Sequence, residues 1–158
     1  MSTTHISLHE IVDDDEQHGR SIVEEITLPS CWILMTVQMR DHAYSKVITT
    51  GRSINVKESP EEILNKIQAG NQELVNKEHL SVEEMKMFFP LHRIFHDAVK
   101  TIMIDLDLVK SIRQISKFKT EFTLKGRQRE TIIIRLPLEW LDVPQDKIRK
   151  ERPTTHAV

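Results

Sequence analysis

Residues 46–67 read KVITTGRSINVKESPEEILNKI, and the order of residue types predicts a β-hairpin running directly into a helix. Gly51 permits a turn between strands expected over 44–50 and 53–56, and Ile54 and Val56 share one face of the second strand. Ser59 is placed to cap the free N–H groups of the first helical turn, and Pro60 stands where a missing N–H costs nothing. Glu62 completes a capping box while facing the positive end of the helix dipole. Ile63, Leu64 and Ile67 supply one apolar stripe, Gly70 and Asn71 supply a stop, and the helix is therefore drawn over 60–69. Caps, turn and core account for these residues, and none of them forms a reactive constellation.

On the N-terminal side, 22–28 and 32–39 read as strands joined by a turn at Pro29 and Ser30. Ile33, Met35, Val37 and Met39 alternate with Trp32, Leu34 and Thr36, a pattern apolar on both faces that marks a central strand. On the C-terminal side, Ser81 and Glu84 form another capping box, and Met85, Phe88 and Phe89 begin an apolar side. Beyond Pro90, the residues Leu91, Phe95, Ala98, Ile102, Leu106 and Val109 follow at spacings of three and four, so one long helix is expected around residues 82–112. Phe118, Thr120, Phe122 and Leu124 then alternate with Lys117, Lys119, Glu121, Thr123 and Lys125. Gly126 turns the chain into a strand over 131–136, and Pro137 opens a short helix holding Leu138, Trp140 and Leu141. The expected fold class is α+β, with antiparallel β-hairpins packed against two or three helices. The expected organisation is an acidic flexible arm over 1–21, a single α+β domain over 22–150, divisible into hairpin-plus-helix halves 22–80 and 81–150, and a basic tail over 151–158.

A chain of 158 residues with 39% hydrophobic and 29% charged content is long enough to bury a core and reads as soluble and globular. No apolar run approaches the roughly 20 residues that span a bilayer, and the opening MSTTHISLHE lacks a basic n-region and an apolar h-region, so a cytoplasmic protein without a membrane role is expected. The lone Cys31, in CWILM, reads as a buried thiol. Charge is uneven along the chain: residues 1–30 carry a net −6, 31–109 a net −2 and 110–152 a net +6, which together give −2. Asp13, Asp14, Asp15 and Glu16 concentrate the acidic end.

Candidate chemistry is sparse. His92 and His96, four apart on the expected long helix, would project from one face toward a divalent metal, yet no further ligand motif accompanies them, so neither metal nor cofactor is assigned. Asp105 and Asp107 have the DxD spacing of haloacid dehalogenase-type phosphatases, but Val109 stands where that pattern has threonine. With glycines only at 19, 51, 70 and 126, the chain has no phosphate-cradling loop. What remains is a basic face. Lys117, Lys119 and Lys125 leave the strand opposite Phe118, Phe122 and Leu124, and Arg127, Arg129 and Arg135 can join them, a set able to neutralise several phosphates or an acidic protein segment.

The stretch VITTGRSINVKESPEEILNKI resembles the small bacterial family of flagellar FlbD-like proteins, whose hairpin ends in a V-x-E-S-x-E-E-[IV] helix start. The match falls on Val56, Glu58, Ser59, Glu61, Glu62 and Ile63. The resemblance covers 47–67 and implies a non-enzymatic hairpin-plus-helix element in a bacterial or bacteriophage setting. FTLKGRQRETIIIRLPLEWL is similar to the end of LytTR-type DNA-binding domains, without their base-reading residues. The expected function is a non-enzymatic binding or assembly module that contacts a protein partner or further copies of itself. The alternative is a small nucleic-acid-binding regulator that uses the basic face.

Overall fold

The computed structural model describes residues 4–15, 20–126 and 130–149, with side chains over the same ranges outside 13–21. The chain divides into two compact units, Met1–Leu106 and Asp107–Val158.

The first unit is built on an antiparallel sheet. Its strands are β1 (His5–Asp15), β2 (Arg20–Pro29), β3 (Ile33–Met39), β4 (Ser45–Thr49) and β5 (Ser53–Val56), followed after two helices by β6 (His92–His96) and β7 (Lys100–Asp105). The seven strands lie in the order β2-β1-β5-β4-β3-β7-β6. Between β5 and β6 come α1 (Pro60–Glu78) and α2 (Val82–Phe88). Register places Ile94, Met103, Thr36, Val47 and Ile54 in one row across five strands. On that face Ile63 and Ile67 of α1 are buried with Ile6, Leu8, Leu28, Ile33, Val56 and Met103. Each such aliphatic side chain contributes roughly 1.5–3 kcal/mol on burial. The expectation that β3 is central holds, since β4 and β7 flank it.

The helix-rich α+β expectation is overturned: the described chain is predominantly β, with ten strands and only two α-helices. The long helix drawn around residues 82–112 is the main error. α2 stops at Phe88, and β6, β7 and the start of β8 occupy most of the remainder. The three-and-four spacing was coincidental, because Ile102, Met103 and Ile104 are all buried in a strand. A tight turn separates β6 from β7. Asp97 Oδ1 accepts from the N–H groups of Val99 at 2.7 Å and Lys100 at 2.8 Å, a local bond that competes with helix.

At the signposted helix start, Ser59 Oγ accepts from the Glu62 N–H at 3.2 Å, as its position predicts. The helix then passes through Gly70 and ends at His79, whose φ of 52° is the left-handed cap. Gly70 lies where α1 meets the start of β1: a Cβ there would touch Thr4 Cβ at 3.4 Å. Residues 1–21, read as an arm, contribute β1 and the first residues of β2 within their described part, and 151–158 lie outside the described residues.

The second unit holds β8 (Val109–Ser116), β9 (Lys119–Leu124) and β10 (Thr131–Ile134) in the order β10-β9-β8. Val109, Ile112, Phe122, Leu124 and Ile134 are its buried apolar residues. Ile148 bridges Ile112, and the Arg149 N–H donates to the Ile112 carbonyl at 2.7 Å, which covers the outer edge of β8 there.

The continuity of α1 can be checked by Gly70→Ala. Glycine inside a helix costs about 1 kcal/mol relative to alanine, and the added methyl meets only ordinary contact, so urea unfolding should show a gain of about 0.5–1 kcal/mol. A loss of stability would contradict a helix that runs through this position.

Candidate strand-docking edge

Four expected basic residues are described. Lys119 opens β9, Lys117 lies in the turn before it, and Arg135 follows Ile134, the partner of Thr120, so these three gather at one end of the hairpin. Lys125 lies past the other end of this six-residue strand, about 20 Å away at 3.3 Å per residue. Between them Glu121 pairs with Arg113 at 3.3 Å, so the outward face is mixed in charge rather than uniformly basic. Arg127 and Arg129 lie outside the described residues. Phe118, expected inside, is 56% exposed, with Lys117 Nζ 5.5 Å from its ring centre. Asp13, Asp14 and Asp15 fall at the end of β1, and Glu16 lies outside the described residues.

The histidine pair separates because its helix does not exist. His92 and His96 stand on strand β6, about 13 Å apart at 3.3 Å per residue, too far to clamp one ion. His92 is buried with its ring on the Ile33 carbonyl at 3.1 Å, while His96 is exposed and reaches Thr101 at 3.0 Å and Glu61 at 3.5 Å. Among the described residues no group of three or more His, Cys, Asp or Glu side chains could hold a metal ion. Cys31, expected buried, is exposed.

The buried Glu58 serves as an anchor. Both of its carboxylate oxygens accept from the His9 N–H, at 2.5 and 3.0 Å, and Oε1 lies 3.1 Å from His9 Nδ1. The Lys57 N–H donates to the His9 carbonyl at 2.9 Å. β1 and β5 otherwise share the pair Glu10 with Val56, so Glu58 extends the ladder with a side chain where β5 ends.

These bonds determine what the far side of β2 presents. His9 directs its backbone N–H and carbonyl toward β5 and Glu58, while Thr4, five residues earlier, accepts from Ser30 at 2.9 Å on the β2 side. Alternate residues of an antiparallel strand point their backbone groups in opposite directions. His9 pairs with Glu25, Ile11 with Val23 and Ser7 with Thr27, so the N–H and carbonyl groups of Val23, Glu25 and Thr27 face outward. Among the described residues no strand pairs with that edge. It is ten residues long and carries Ile22 at 56% exposure beside exposed Val23 and, across the hairpin, Val12. Next to it lies a cleft of about 630 Å³ whose lining includes Ile26, Leu28, Trp32, Arg52 and Ile54. Trp32 is half exposed.

A long exposed edge with apolar side chains is a template for adding another strand. The sequence reading recognised 22–28 as a strand but missed the edge, because it left β1 in an arm. The alternation of Ile6 and Leu8 with His5, Ser7 and His9 was the available signal. A rival exposed surface is α2, which buries none of its residues and leaves Val82, Met87 and Phe88 open.

No family model matches the chain, and neither do curated proteins or solved structures. No described helix is long and apolar enough to cross a membrane.

If Glu58 anchors the hairpin, Glu58→Ala should cost about 1–3 kcal/mol by leaving the His9 N–H unsatisfied, and Glu58→Gln, which retains an acceptor, should cost less. Urea unfolding of the two variants checks this order; equal losses would contradict it.

Proposed function

We propose that this chain is a non-enzymatic binding and assembly module that docks an extended protein segment, from a partner or from a further copy, by strand addition to β2. The supporting observation is the outward set of backbone groups on Val23, Glu25 and Thr27 beside an apolar cleft. In this mode main-chain hydrogen bonds supply affinity, and a pocket beside the edge selects the side chain that fills it. The ionisable groups favour binding over catalysis: Glu58 is occupied by His9, and His92 by the Ile33 carbonyl. A bacterial or bacteriophage setting rests on the resemblance of 47–67 to the FlbD-like family.

One observation favours nucleic-acid binding as a second reading. Phe118 is exposed between Lys117 and Lys119, with Arg135 at the same end of the sheet, an aromatic platform flanked by cations of the kind that stacks a base and neutralises phosphate. An electrophoretic shift titrated with salt tests it. Retardation of DNA or RNA at low ionic strength, lost on Phe118→Ala, would support this reading, and the absence of any retardation would eliminate it.

Strand addition is tested by amide hydrogen exchange with and without a captured partner or at high self-concentration. The amides of Val23, Glu25 and Thr27 should exchange rapidly in the isolated chain and become protected in the complex, while Glu24 and Ile26, whose N–H groups face β1, should be protected in both. A complex that leaves the three outward amides unprotected would contradict the proposal. Glu25→Pro should fold, since it removes an N–H that faces away from the ladder, and should abolish docking, whereas Glu24→Pro should break the hairpin itself.

A further inference from the structure

We propose that the occupant of the β2 edge is the opposite edge of the same sheet in a second copy: the outer side of β6 pairs antiparallel with β2, and copies join head to tail. The inference rests on the strand-addition reading and names its partner. β6 is the last strand on the other side of the sheet. The Leu106 N–H donates to the Leu91 carbonyl at 2.8 Å, and the Asp97 N–H to the Lys100 carbonyl at 2.9 Å, so the odd-numbered residues of this stretch face β7. His92, Ile94 and His96 therefore turn their backbone groups outward, at the same two-residue spacing as Val23, Glu25 and Thr27.

Charge selects this partner. β2 offers exposed Glu24 and Glu25, and β6 contains Arg93 and two histidines but no acid. Setting Val23 opposite Ile94 brings Glu24 opposite Arg93, which pairs acid with base, and Ile22 opposite Phe95, which pairs apolar with apolar. A two-fold contact of β2 with β2 in registers centred on Glu24 or Glu25 is less favourable, because those registers set the carboxylates face to face. The other described edges are poorer candidates: β8 is covered at Ile112, and β10 has only four residues. Because two different edges meet, the contact does not close as a dimer, and it generates rings or open chains.

Sedimentation velocity over a wide concentration range, on wild type and variants of the full chain, tests this. Wild type should grow past the dimer with concentration. Glu25→Pro and His96→Pro, each blocking one edge at an outward N–H, should separately fail to grow, and their mixture should form a one-to-one dimer and stop there. Glu24→Gln with Glu25→Gln should weaken growth roughly tenfold, whereas a two-fold β2 contact centred on Glu24 or Glu25 would be strengthened by the same change. That strengthening, or a His96→Pro variant that grows like wild type, would overturn the inference while leaving docking at β2 intact. A Glu25→Pro variant that grows like wild type would instead overturn the strand-addition reading itself. Should either proline variant fail to fold, the glutamine pair still decides between the two contacts.

Discussion

An antiparallel sheet that ends without a cover leaves every second backbone N–H and carbonyl of its last strand to solvent, and this constraint organises the chemistry of the protein. Within the first unit, the interior strands have a neighbour on each side and bury core-facing side chains with Ile63 and Ile67 of α1. At β2 the ladder stops. What the strand then exposes is set by the direction in which β1 points its own groups, which Glu58 fixes from the far side of the hairpin. The same outward phase follows from the Ser30 N–H donating to the Thr4 carbonyl on the β2 side.

Charge adds direction to the backbone template. Strand addition alone is permissive, because any extended segment offers the same main-chain groups. On the proposed strand addition, Glu24 and Glu25 would penalise acidic segments and favour basic ones, and the cleft beside Trp32 would favour an apolar side chain at one position. The core contributes by holding these groups still. Ile6, Leu8 and Leu28 bury the inner half of the hairpin, while Ile22 and Val23 extend beyond that anchorage into solvent.

The hairpin at 45–56 and the start of α1 were legible from residues because local chemistry decides them: a cap at Ser59, a proline at the first helical position and a glycine in the turn. The pairing of β9 with β10 was legible for the same reason. Where local and non-local forces disagree, the reading failed. Apolar residues between Leu91 and Val109 fit a helical spacing, but β-branched Ile102 and Ile104 are buried in a sheet, and only pairing with the distant β3 distinguishes the two outcomes. Gly70 looked like a stop because helix interiors seldom contain glycine, and the continuation of α1 to Glu78 is visible only in three dimensions. The basic residues were identifiable but not their dispersal to both ends of the hairpin, since strand length converts neighbouring sequence positions into distance. Phe118 was misplaced because strict alternation was carried one residue into the turn.

The most direct test of β2 as the docking edge is an isotope-filtered nuclear Overhauser experiment on a complex of labelled chain with unlabelled partner or copy. Strand addition requires close intermolecular contacts from the backbone protons of Val23, Glu25 and Thr27 to a second strand. Intermolecular contacts confined to Val82, Met87 and Phe88 of α2, with none from β2, would contradict the account.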